Sequence, residues 1–203
     1  MRQPPLVNRR IHMRLLILLF ALLAGGCASF SSLQFPPVPQ QGVVAGAPKV
    51  GIAAVQDARS SAELGHIGLA SVTAGSELTD YLHDSLRAAL IQKGFSAESA
   101  PEPGNASAAG FNSAIVQITL QTATLSSFDA IMAPAQINLV IAIEVYRSGK
   151  GSYSQTYHSD IKGYIGMHSE AGYETRIGEV LSRAVDKVVS NAMADQGFLT
   201  SLN

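Results

Sequence analysis

The sequence predicts an α+β fold: an antiparallel sheet of about four to six strands with two amphipathic helices packed on one face, built from residues 49–203 as a single domain. Three observations predict it. Two segments carry apolar residues at three- and four-residue steps, the period of a one-sided helix. Three longer segments alternate apolar and polar residues, the pattern of strands with one dry and one wet face. The composition, 47% hydrophobic and 14% charged, supports a packed core.

In chain order, Val50, Ile52 and Ala54 alternate with small residues and predict a short strand, broken by the polar run from Gln56 to Ser61. Residues 67–72 predict a second. The first helix is expected over 76–93, with Leu78, Leu82, Leu86, Ala89 and Leu90 inward, Ser76 as N-cap and Gly94 as the stop. A loop rich in Pro, Gly, Ala and Ser follows, then three strands. Over 114–122 the even positions Val116, Ile118 and Leu120 are apolar; over 137–145 and 153–165 the odd positions are. Residues 148–151 predict a hairpin turn between the last two strands. A closing helix over 173–195 presents Ile177, Val180, Leu181, Ala184, Val185 and Val188 inward.

Ahead of the domain the composition changes. Four of the fourteen basic residues (Arg2, Arg9, Arg10, Arg14) and none of the fifteen acidic ones lie in residues 1–26, so the net charge of −1 becomes −5 without that segment. An acidic domain lacks the clustered Lys and Arg on which nucleic-acid binding rests, and has no polybasic patch for anionic lipids. The apolar run Leu15 to Leu23 follows the basic stretch, and Ala24-Gly25-Gly26 follows the run, which is the layout of a secretory signal. Nine residues rise about 14 Å as a helix, against the roughly 20 residues a membrane span requires. Met13-Arg14 with the apolar run also makes a minimal signal by itself, so Met1 and Met13 are both candidate starts.

The segment Leu23-Ala24-Gly25-Gly26-Cys27 resembles the lipobox of a bacterial lipoprotein signal, with Ala24 where leucine is commonest. The resemblance implies cleavage of residues 1–26 and a diacylglyceryl group on the thiol of Cys27. It also implies the outer membrane, facing the periplasm, because residue 28 is Ala and not the Asp associated with inner-membrane retention. Each buried methylene contributes about 0.8 kcal/mol, so two or three acyl chains hold a protein effectively permanently. Residues 27–48 then read as the lipidated end and a flexible Pro/Ser-rich tether, with Phe35, Val43 and Val44 able to dock partly on the domain.

The domain resembles the YajG-type family of outer-membrane lipoproteins. The matching features are the strand leading to Asp57-Ala58-Arg59 with Gly65 after it, the helix "LTDYLHDSLRAALIQKGF", the strand "AQINLVIAIEVYRSG" and the end "MADQGFLTSL". The family is defined by sequence and location, so it implies no catalytic residue.

The residues offer several weak chemical candidates. Asp57 and Arg59, at the end of a strand, form a candidate partner-binding pair or a turn-stabilising ion pair. His158, Asp160 and Lys162 share a strand face and suit an acid–base or metal patch or simply a wet sheet face. Asp80, His83, Asp84 and Arg87 fit an exposed helix face with ion pairs. Ser159-x-x-Lys162 matches a nucleophile motif in letters alone, since an odd spacing in a strand places the two on opposite faces. Tyr153, Tyr157, Tyr164 and Tyr173 suit a binding surface or packing. One cysteine makes neither an internal disulfide nor a Cys-x-x-Cys zinc site.

The expectation is therefore a non-enzymatic, lipid-anchored module that binds an envelope protein or lipid component, with no metal, no cofactor and no nucleic-acid partner. An auxiliary lipoprotein of lipid or lipopolysaccharide transport is the alternative and predicts an apolar groove between sheet and helices. An envelope hydrolase is a third reading and predicts a clustered His/Asp/Ser site.

Overall fold

The computed structural model describes residues 29–39, 42, 46–68, 70–105, 113–127, 134–147, 150–165 and 172–203. Nine strands and three α-helices are present among them. In chain order they are β1 (Ser29–Phe30), β2 (Lys49–Ile52), β3 (Gln56–Asp57), β4 (Glu63–Ile67), β5 (Ala70–Thr73), α1 (Ser76–Gln92), β6 (Ser96–Ser99), β7 (Ala114–Ser127), β8 (Pro134–Arg147), β9 (Lys150–Tyr164), α2 (Tyr173–Ala194) and α3 (Gln196–Ser201).

The α+β class stands, but the sheet is mixed and not antiparallel, and it is larger than the four to six strands expected. Strand β7 organises it. One edge of β7 pairs antiparallel with β8, which pairs antiparallel with β9. Its other edge takes β2, β3 and β4 in succession, all parallel, as one interrupted strand running alongside. Strand β6 adds parallel to β2 after the α1 crossover, while β5 turns back antiparallel to β4. Gly65 is required where β4 meets β7: its φ is +149°, and a Cβ there would strike the carbonyl of Leu125.

The departures from expectation have local causes. The strand expected over 67–72 is the corner of a hairpin, because Gly68 at φ +59° turns the chain between β4 and β5. Ser76 is the first helical residue of α1 and not its cap; Gly75 holds the cap position and no side chain caps the helix. Gly94, at φ +90°, ends α1 as expected. Strand β7 runs five residues past the end of its alternating pattern. A bulge between Leu120 and Thr122 shifts the parity, so the inward set passes from Val116, Ile118 and Leu120 to Ala123 and Leu125.

One core fills the space between sheet and helices. Ile137, Leu139, Ile141, Ile143 and Val145 of β8 are fully buried opposite Leu78, Leu82 and Leu90 of α1 and Ile177, Leu181, Ala184, Val185 and Val188 of α2. Both helices lie on one sheet face, as their stripes predict. The third helix, α3, seals the end with Phe198, also fully buried.

Candidate functional site

The segment expected to be a tether builds the site. Residues 29–39 run against the domain: β1 pairs parallel with β5, and Phe30 packs on Tyr173 with ring centroids 5.2 Å apart. Leu33 is buried. The Gln34 amide donates to the Glu174 carbonyl at 3.4 Å, and Thr175 Oγ1 donates to Gln34 Oε1 at 2.8 Å. The Gln34 carbonyl lies so close to α2 that a Cβ on Gly178 would collide with it, so glycine there makes room for the strap. Phe35 docks as expected, stacked on Tyr81 with centroids 4.8 Å apart. Val43, Val44 and the lipidation candidate Cys27 lie outside the described residues.

Past Phe35, residues 36–39 (Pro-Pro-Val-Pro) form one wall of a solvent-open groove of about 680 Å³, whose other walls are α1 and α2. From α1 come Tyr81, Ser85 and Ala88, with Lys93 just past its end; from α2 come Asp186, Val189, Ser190 and Met193. Polar groups make up more of its exposed lining than apolar ones do, with Val189, Met193 and the prolines supplying the apolar part. Burial raises the pKa of Asp186 above the ordinary carboxylate value. Burial, and then the negative charge of Asp186, raise that of Tyr81. Both shifts run toward the uncharged form of the group concerned.

Asp57 and Arg59 meet in a closed arrangement. Arg59 Nε donates to Asp57 Oδ1 at 2.8 Å and Nη2 donates to Oδ2 at 2.7 Å. The same Nη2 donates to the Ala74 carbonyl at 2.7 Å, just ahead of α1. The Arg59 side chain is 4% exposed and that of Asp57 35%, so the cation is spent inside the fold and only the carboxylate has an outward side. The Arg59 hydrogen bond holds the Asp57 carboxyl below its ordinary pKa. Chemically this is a clamp between the end of β3 and the start of α1.

The other candidates are dispersed. His158 and Lys162 are exposed on the outer face of β9, and Asp160 between them accepts from Gln136 Nε2 at 2.7 and 2.9 Å. Ser159 is buried toward the core while Lys162 is exposed, the opposite-face arrangement that a strand imposes. His83 contacts Asp84 at 3.2 Å and lines a small surface hollow with Thr79 and Asp80. His66 lies 3.4 Å from Glu63. Among the described residues no three His, Cys, Asp or Glu side chains converge as a metal site requires.

Two polar features escaped the sequence. Gln117, on the nominally wet face of β7, is 3% exposed and donates to the carbonyls of Ala54 and Ile118, because the chain between β2 and β3 passes over it. Tyr153 and Tyr157 converge on Asp195: their hydroxyls lie 2.6 Å apart, and both donate to Asp195 Oδ2, at 2.6 and 3.0 Å. Asp195 Oδ1 meanwhile accepts from the amides of Gly197 and Phe198 and caps α3. The spacing Asp-x-x-Phe at the end of a helical stripe was a readable cap signal for that last element.

The fold is shared by solved proteins, while no family model and no curated protein matches the sequence. A Helicobacter pylori protein named as a neuraminyllactose-binding hemagglutinin homolog aligns over 81% of this chain and 95% of its own at TM-score 0.50 and 12% identity. An uncharacterized protein aligns over 82% and 97% at TM-score 0.50 and 14% identity. A minor lipoprotein of Acinetobacter baumannii aligns over 78% and 96% at TM-score 0.48 and 8% identity. At such identities the two matches at TM-score 0.50 show a likeness of fold alone.

Proposed function

We propose that this chain is a non-catalytic, lipid-anchored module on the periplasmic side of the outer membrane, held through Cys27, which binds a protein component of the envelope in the groove between α1 and α2. The observation that carries the reading is that residues 36–39, nine to twelve residues after Cys27, form a wall of the groove. Anchor and recognition surface are therefore one continuous stretch of chain, as suits a protein that presents a site at a membrane. Asp57 remains a secondary contact in this proposal, through the outward side of its carboxylate, with Arg59 holding that carboxylate in place.

A lipid-carrying role needs an apolar cavity between sheet and helices, and the fully buried side chains of β8, α1 and α2 occupy that space. The groove opens on the other side of the helices, so no observation favours the transport reading.

The test is crosslinking in cells from a photoreactive residue placed at Ala88 in the groove, with one at Thr156 on the outer sheet face as the comparison. A discrete protein adduct from position 88 and none from 156 is the expected result. No adduct from the groove, together with turnover of an envelope substrate by the purified domain, would overturn the reading.

A further inference from the structure

The strap determines which end of the domain meets the membrane. Strand β1 is parallel to β5 with Ser29 opposite Ser71, so Ser29 sits beside the β4–β5 turn at Gly68. Strand β4 is parallel to β7, and Ser127 Oγ donates to the His66 carbonyl at 2.7 Å, which brings the end of β7 to the same turn. Ala135 of β8 is opposite Ser127, and Pro134 is opposite Tyr164 of β9. One pole of the sheet therefore gathers Ser29, His66, Gly68, Ser127, Pro134 and Tyr164.

Cys27 precedes Ser29 by two residues, and two residues span at most about 7 Å. A tether of some twenty free residues would reach roughly 60 Å in an extended polyproline form. The docked strap removes that freedom and leaves the anchoring residue within one short link of the pole. A second, independent observation marks the same pole. Tyr164 is 74% exposed, the one large hydrophobic side chain so exposed among the described residues. Tyrosine pairs an apolar ring with a polar hydroxyl and is enriched at the headgroup level of membranes. Lys162, two residues earlier on the same strand face, is exposed and adds a cation for phosphate groups. We propose that this pole is a lipid-docking surface, on which the domain sits directly against the bilayer with Tyr164 at the headgroup level.

The opposite pole is distinct. There Arg147 Nε donates to the Ser201 carbonyl and ties α3 to the end of β8, and the fourteen residues of β8 separate the two poles by about 40 Å. The groove faces away from the sheet between them, so docking leaves it open to the periplasm.

The proposal rests on lipidation of Cys27 and is tested on the full-length lipidated protein. With Cys27 acylated, an introduced cysteine is the sole free thiol. A fluorophore on Tyr164→Cys, or on Gln196→Cys at the far pole, is read in vesicles of phosphatidylethanolamine and phosphatidylglycerol carrying a nitroxide-headgroup quencher. Quenching at 164 and none at 196 is expected. Equal quenching at both, or none at 164, overturns the docking surface. Intact mass of the extracted protein separates the two ideas: a missing lipid mass overturns the anchor and the docking with it, whereas a lipid mass with an unquenched 164 probe overturns the docking alone. Adding Gly178→Ala, which displaces the strap while the helix keeps its fold by circular dichroism, is expected to abolish quenching at 164. Its persistence overturns the role given to the strap.

Discussion

Arg59 shows how a residue chosen for its charge can serve the interior. Its guanidinium is sequestered between a carboxylate and a backbone carbonyl, so it cannot reach a partner without unmaking the joint between β3 and α1. Arg59→Ala is therefore expected to lower unfolding free energy by about 1–3 kcal/mol, the cost of leaving a buried acceptor unmatched, as read by denaturant unfolding. Asp57→Asn is expected to lose less, because its carboxylate retains water on one side. If Arg59→Ala unfolds at the wild-type midpoint, the clamp is incidental. The pair was visible in the sequence, but its direction was not, since a three-residue stretch does not reveal that the Ala74 carbonyl lies within reach.

Among the elements, α3 depends most on a single group. Asp195 caps it with one oxygen and receives two tyrosyl hydroxyls with the other, and Tyr153 also packs on Phe198 at 5.8 Å between centroids. Burial pushes the pKa values of both tyrosines above the ordinary 10, and hydrogen bonding to Tyr153 and to the amides lowers that of Asp195. The signs give two limits. The tyrosines stabilise the fold fully below about pH 10, and that contribution is lost as pH rises through their raised values; Asp195 contributes above about pH 4 and is lost below it. Thermal unfolding against pH is thus expected to fall steeply on the alkaline side, and a Tyr153→Phe, Tyr157→Phe double variant to lose that steepness. Asp195→Ala is expected to cost about 1 kcal/mol through the lost cap, with α3 the first helix to exchange its amides. An unchanged alkaline limb in the double variant would refute the assignment.

For the whole molecule, the proposed anchoring is expected to be separable from folding. The described core that joins β8 to α1 and α2 is built from Leu33 and residues 50–202, so Cys27→Ser is expected to release the protein from the membrane fraction with its thermal midpoint unchanged. Retention of the variant in membranes, or of the lipid mass on it, would remove Cys27 as the anchor. The strap gives the molecule its polarity: one end of the sheet lies beside Ser29, and the groove is walled by the helices and residues 36–39.

Periodicity made α1, α2 and the long strands legible, since their burial repeats every 3.6 or 2 residues whatever surrounds them: Leu78 to Leu90, Ile137 to Val145, Ile177 to Val188. The resemblance of Leu23 to Cys27 to a lipobox is also read within a few residues, and the proposed anchor rests on it. The remaining features depended on contacts made far along the chain. The two-residue β3 and the four-residue β6 exist because the edges of β7 and β2 offer them hydrogen bonds. The parity shift at Leu120, the burial of Gln117, the inward turn of Arg59 and the meeting of two tyrosines with Asp195 each need a partner between 15 and 63 residues away. Thus the sequence by itself determined the helices and the long strands, because short-period patterns are read within a few residues. Only the tertiary structure decided that the sheet is mixed and that residues 29–39 of the expected tether form a strap, part of which walls a groove. Which strand edges and helix faces stay unpaired, and so can receive that segment, is settled only when the whole chain has packed.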